Sequence, residues 1–158
     1  MSRSIRAGIF FLTPVVAILL SSLTLDSPSA RAEALASYSI TGQKIVKPLT
    51  HRAGDARRVR DWVLAPRGGN CLNCHKMPIP EEAAQGNLGP DLTGIGSRMD
   101  EGELRLRLVD PRRINPQTIM PSYYRTQGLT RVDKSLEGQP VLTAQEIEDV
   151  LAYLRSLK

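Results

Sequence analysis

Large flat side chains are scarce in this chain of 158 residues: Phe, Trp and Tyr together supply 4%. Cysteine occurs twice and histidine twice. The longest apolar run, Ala7 to Leu20, is about 14 residues long and carries Thr13 and Pro14. Each shortage closes off a class. A bilayer helix needs roughly 20 apolar residues, so no membrane span is expected. Two cysteines close one disulfide at most, and no second Cys/His pair is present to complete a zinc site. Net charge is +5, and +3 without the first 32 residues, too thin a basic footprint for nucleic-acid binding. With so few rings, a domain of this size needs something other than its own side chains to fill its core, either a cofactor or a disulfide.

The amino terminus reads as an export signal over residues 1–32. Arg3 and Arg6 form the positive start, Ala7 to Leu20 the short apolar stretch, and Ala30-Arg31-Ala32 a small-x-small cleavage site, with cleavage after Ala34 the second choice. Removing it lowers the net charge to +3 and takes both phenylalanines, leaving Tyr38, Trp62, Tyr123, Tyr124 and Tyr153 as the aromatic set. Residues 33–50 then form an amino-terminal extension and residues 51–158 the folded domain. The expected location is the periplasm.

The two cysteines stand in Cys71-Leu72-Asn73-Cys74-His75. Cys-x-x-Cys-His is the signature of covalent haem c attachment. One helical turn sets both sulfurs along one porphyrin edge as thioethers, and the next side chain, His75, projects over the iron. A thioredoxin-like dithiol would need a βαβ pattern that is not visible here. For the second axial position the candidates are Met77, Met99, Met120 and His51. Met77 is too close to His75 to cross the ring, and Met99 leads into an acidic helix start. His51 reads as a surface residue. Met120 sits in Pro116-Gln117-Thr118-Ile119-Met120-Pro121, a proline-bounded loop suited to closing the far face, and is the favoured ligand, although methionine is also an ordinary core filler. A ligating histidine donates its other ring N–H to an acceptor. The carbonyl of Pro90, in Gly89-Pro90-Asp91-Leu92, is the expected one, against the plainer reading of a Gly-Pro turn.

Helices account for the rest. Thr143 and Glu146 make a capping box, Leu142 is placed to staple onto Ile147, and Ile147, Val150, Leu151 and Leu154 form one apolar stripe. An earlier helix is predicted from Asp55 as N-cap to Ala65, with Val59, Trp62 and Val63 on its apolar side and Pro66 as its stop. A third is predicted over residues 100–109, where Leu104-Arg105-Leu106-Arg107-Leu108 alternates like a strand but consists of helix formers and ends before Pro111. No strand signal of similar strength is present.

Helix, haem motif, Gly-Pro-Asp-Leu loop, helix, Met-Pro loop and terminal helix together resemble a class I cytochrome c. That resemblance implies an all-α fold packed around one covalent haem c, its first and last helices crossing, with Tyr153 in the family's usual aromatic position. The glycine usual at that crossing is missing between Asp55 and Trp62, so a looser or shifted crossing is expected. The runs Leu104-Arg105-Leu106-Arg107-Leu108-Val109-Asp110 and Thr118-Ile119-Met120-Pro121-Ser122-Tyr123-Tyr124-Arg125 are more specific, and with Pro48 to Asp55, Gly94 to Arg98 and Ala144 to Leu157 they resemble the SoxX family of monohaem cytochromes. The resemblance implies Cys71 and Cys74 as haem attachments and His75 and Met120 as axial ligands. It also implies a heterodimer with SoxA, forming the SoxAX L-cysteine S-thiosulfotransferase, which joins thiosulfate to a cysteine of the carrier SoxYZ. Both thiols here are then consumed by haem, and a His/Met iron has no open position. The sulfur chemistry falls to SoxA, and this subunit relays electrons to a downstream cytochrome. The competing expectation is a diffusible cytochrome c shuttle. Arg98, Arg105, Arg107, Arg112, Arg113 and Arg125 pair with propionates or a partner, or form a solvated face. Tyr123 and Tyr124 pack under the methionine loop or meet SoxA.

Overall fold

Thr143 and Glu146 open the longest helix among the described residues, as their spacing predicts. In the computed structural model of the chain, which describes residues 35–59, 63 and 69–158, Thr143 Oγ1 accepts from the Glu146 N–H (3.2 Å) and the Glu146 carboxylate accepts from the Thr143 N–H (2.7 Å). Two of the donors that a helix start leaves open are thereby satisfied. Three α-helices lie wholly among the described residues: α1 (Ile95–Arg98), α2 (Glu101–Val109) and α3 (Ala144–Ser156). The described residues all belong to one compact unit, Glu33–Lys158. Their only ladder-like pairing is an isolated bridge between Thr41 and Lys44.

Helix α3 is the hub. It packs against α1, against α2 and against a 3-10 turn at Ala56–Arg58. The stripe Ile147, Val150, Leu151 and Leu154 is buried, and so is Leu142 just ahead of the cap. Helix α2 starts with a second capping box, between Asp100 and Glu103. Its strand-like alternation is explained by burial nearly all round. Leu104, Arg105, Leu106, Leu108 and Val109 are all buried, so the sequence shows no polar face to mark the helical period.

Asp55 caps the Ala56–Arg58 turn as predicted, accepting from the Arg57 N–H at 3.0 Å. Hydrogen bonds from Arg57 hold the Asp55 carboxyl down to about 2. Val59 and Val63 are buried, and the Val63 N–H donates to the Val59 carbonyl, one helical step. Trp62 and the remainder of the predicted helix, residues 60–62, 64 and 65, lie outside the described residues, as does its predicted stop, Pro66. The crossing is shifted by one position from where it was sought. A Cβ on Gly54 would stand 2.0 Å from the Glu148 carbonyl oxygen and 3.0 Å from Ala152 Cβ, so Gly54 is where this segment passes over α3.

The segment ahead of residue 51 folds onto the domain. Ile45 and Leu49 are core residues. The Ile45 N–H donates to the Gly102 carbonyl (3.1 Å), and the Leu49 N–H to Glu148 Oε1 (2.8 Å). Arg105 corrects the reading of the arginines as a surface group. It is 1% exposed, and its guanidinium binds both Glu148 oxygens, Glu101 and the Ile45 carbonyl. Of the others, Arg112 and Arg113 are exposed, and Arg98 is exposed but bonded to the carbonyls of Asp91 and Thr93. Arg107 and Arg125 are half-buried.

Candidate functional site

Asn70 adopts a left-handed backbone (φ 34°), which asparagine tolerates better than most residues, and launches a single 3-10 turn at Cys71–Asn73. The turn closes with bonds from the Cys74 N–H (3.1 Å) and the His75 N–H (2.8 Å) to the Cys71 carbonyl. Two free thiols and an imidazole are thus carried on one turn. Cys71 lines a small apolar niche with Val63, Leu108, Tyr123 and Leu142, and burial pushes its thiol up to about 11. That is the opposite of the lowered value that a nucleophilic or redox-active dithiol needs. Among the described residues no three His, Cys, Asp or Glu side chains converge as a metal cage.

A second strip of chain runs alongside this turn and fixes the histidine. The Gly86 N–H donates to the Leu72 carbonyl, the Gly89 N–H to the Cys74 carbonyl and the Leu92 N–H to the Lys76 carbonyl, at 2.7, 2.7 and 2.9 Å. His75 Nδ1 lies 2.7 Å from the Pro90 carbonyl oxygen. A carbonyl accepts only, so Nδ1 carries the proton, and in the neutral ring Nε2 then keeps the lone pair that a metal-ligating imidazole uses. Gly89 is indispensable to this approach. A Cβ there would fall 2.3 Å from His75 Cε1 and 2.6 Å from Nδ1. Sequence reasoning valued Pro90 for its carbonyl and took Gly89 only as half of a turn, because nothing local shows that a ring will lie against it.

Gly89→Ala is therefore expected to push the imidazole off its acceptor and to cost about 1–3 kcal/mol, the usual penalty for overpacking. Thermal unfolding and the visible spectrum of the mature protein measure both effects. Leu88→Ala, at a side chain 70% exposed, should leave both unchanged.

Met120 stands on a different wall. It is half-buried beside a cleft of about 320 Å³ that is also lined by Arg112, Pro121, Arg125, Arg131 and Val141. Its loop is held in place by the Met120 N–H bond to Thr118 Oγ1 (3.1 Å) and the Thr118 N–H bond to the Asn115 carbonyl (3.1 Å). Of the other candidates, Met77 is buried with its N–H on Gln85 Oε1, Met99 sits at the α1–α2 junction, and His51 is exposed.

Tyr123 links the two walls. Its hydroxyl donates to the Gly69 carbonyl (3.2 Å), two residues ahead of Cys71. Its own N–H reaches the Leu108 carbonyl, and its carbonyl receives the Leu142 N–H. Burial, with the nearby sulfurs of Cys71 and Cys74 contributing, raises its hydroxyl well above the ordinary tyrosine value. Tyr124 is buried as well, its hydroxyl accepting from the Ala36 N–H and its ring tilted against Tyr38. Both tyrosines are thus part of the hydrophobic core of this chain.

These donors suit a covalent haem c. Two thiols lie on one turn, an imidazole is held through Nδ1 with Nε2 outside that bond, a thioether sits on a braced loop, and Arg125 keeps buried N–H groups without an acceptor. Comparison with known proteins agrees. The cytochrome c family profile matches residues 67–158. A chain of the crystal structure of SoxXA from P. pantotrophus is similar at 29% identity and a TM-score of 0.71, over 77% of this chain and 94% of that one. Comparison with curated proteins returns no match. No helix among the described residues is long and apolar enough to cross a membrane. The all-α architecture, the Cys-x-x-Cys-His turn and both similarities lead to one conclusion: the chain belongs to the cytochrome c family, as a class I electron-transfer cytochrome of the SoxX type.

Proposed function

We propose that this chain is the haem c electron-transfer subunit of a SoxAX-type complex, an exported, periplasmic L-cysteine S-thiosulfotransferase. One haem c would be held through Cys71 and Cys74, His75 and Met120 would supply the donors to its iron, and the Pro90 carbonyl is the acceptor for His75. The single observation behind the electron-transfer reading is the His75–Pro90 bond of 2.7 Å directly after two free thiols. When bound, the group supplies an iron that cycles between ferrous and ferric by one electron.

What this chain's residues do follows from their chemistry. Cys71 and Cys74 tether and take no part in turnover. Pro90 and Gly89 fix the imidazole so that little has to reorganise as charge changes. The Met120 thioether, a soft donor, favours the reduced iron and raises the potential. The reaction served is the joining of thiosulfate to a carrier cysteine thiol. One S–S bond forms, the thiol proton is released, and two electrons leave in successive one-electron transfers. With no spare thiol in this chain, bond formation belongs to a SoxA partner, with SoxYZ as the carrier and a downstream cytochrome as acceptor. The likeness to a SoxXA chain supports that partner.

Two experiments test this. Met120→Leu should abolish the weak long-wavelength iron–sulfur band of the oxidised protein and lower its midpoint potential; an unchanged band contradicts the assignment of Met120. Purification from the native source should yield stable co-elution with a larger haem subunit. A monomer reduced by unrelated donors would instead establish a diffusible shuttle.

A further inference from the structure

Beside Met120 a guanidinium lacks an acceptor. Among the described residues, the buried side-chain nitrogens without a hydrogen-bond partner are Nε and Nη2 of Arg125. These two groups form one edge of the guanidinium, the edge that takes a carboxylate through two parallel bonds. Arg105 shows the same edge in use, with Nε and Nη2 on the two Glu148 oxygens at 2.8 and 3.0 Å. Asp110 does not serve Arg125 in this way. Its Oδ1 stands 3.6 Å from Arg125 Nε, close enough for charge attraction but beyond a hydrogen bond, and that oxygen already accepts from Ser122 Oγ at 3.2 Å. Asp110 thus steadies the guanidinium without satisfying it. Arg125 lines the Met120 cleft with Arg112 and Arg131, against the single carboxylate of Asp133. A cleft with an excess of positive charge and a buried, unfilled fork is built for an anion.

We propose that the Nε/Nη2 edge of Arg125 is a binding position for paired anionic oxygens. Two sources have that chemistry: a propionate of the haem, which rests on the haem c reading above, and a small free oxyanion such as sulfate or thiosulfate. The haem is the source the geometry favours, because the fork shares its cleft with Met120.

The test compares the matured wild-type protein with Arg125→Gln, with and without sulfate at constant ionic strength. Three signals are read: the propionate-bending band in resonance Raman, the ratio of reduced to oxidised protein at a fixed potential, and the melting temperature. Losing a cation near the iron favours the oxidised form. For a propionate ligand, the variant's band shifts and its ratio falls about three- to tenfold, while sulfate affects neither protein. For a free oxyanion, sulfate shifts the wild type saturably and not the variant, and the band stays in place. Either result upholds the fork and names its source. If band and sulfate response are the same in both proteins, with or without the fall in ratio that loss of the charge alone brings, Arg125 is merely the partner of Asp110 and the proposal is overturned. A colourless product would refute the haem reading instead. There, a sulfate-induced rise in melting temperature confined to the wild type upholds the fork, and an equal rise in both sinks it. Should Arg125→Gln fail to fold, Arg125→Lys keeps the charge and loses the paired edge, so the band must still move.

Discussion

Replacing Cys71 and Cys74 together by alanine is expected to leave a chain that is collapsed but does not unfold cooperatively. Its own core is thin. The fully buried side chains are chiefly Leu, Ile and Val, and Tyr123 and Tyr124 are the buried aromatics among the described residues. A porphyrin offers apolar area comparable to two or three aromatic side chains of roughly 150–250 Å² each. At about 25 cal/mol per Å² its burial contributes on the order of 10 kcal/mol, an upper bound because unfolded chains already bury some area. Net domain stabilities are about 5–15 kcal/mol, so the untethered chain is left near zero. Helical far-UV signal with no near-UV signal and a broad urea transition is the expected result. A sharp transition with a native-like denaturant slope would contradict it.

The second large effect is expected at Arg105. Its guanidinium joins α2 to α3 through Glu148 and joins both to the amino-terminal segment through the Ile45 carbonyl (2.8 Å). Glu148 is 5% exposed and also holds the Leu49 N–H. Arg105→Leu leaves that carboxylate buried without its cation, a loss of about 3–5 kcal/mol. Glu148→Leu in the same chain removes the stranded charge and should recover a substantial part, since the intact pair must offset its own desolvation. Urea unfolding of the four members of the cycle measures this. A loss below about 1 kcal/mol for Arg105→Leu would contradict it, because that is the size expected of an exposed pair.

Both effects bear on what the sequence reveals. The features legible in it are local. Thr143 and Glu146, Asp100 and Asp55 mark helix starts because each cap acts within three residues. The cysteine–histidine turn is legible for the same reason, and the Pro90 carbonyl could be sought because a ligating imidazole needs an acceptor. The features that escaped are long-range. Arg105 reads as a solvated charge until Glu148, 43 residues on, folds over it. Gly54 and Gly89 matter only because Glu148 and His75 come to lie where a side chain would have been. Ile45 and Leu49 have no helical or strand period, and their anchors on Gly102 and Glu148 are equally remote in sequence. Arg125 is one of six arginines that sequence alone does not rank, and only its buried N–H groups without an acceptor single it out.

The account depends above all on a haem fixed covalently to Cys71 and Cys74. The most direct measurement is the visible spectrum of the chain, expressed in a host that matures c-type cytochromes, before and after acid-acetone extraction. The account predicts a red protein whose haem stays in the precipitated polypeptide, and a Cys71→Ala, Cys74→Ala chain that retains none. Colour that leaves with the solvent, or no colour at all, would contradict it.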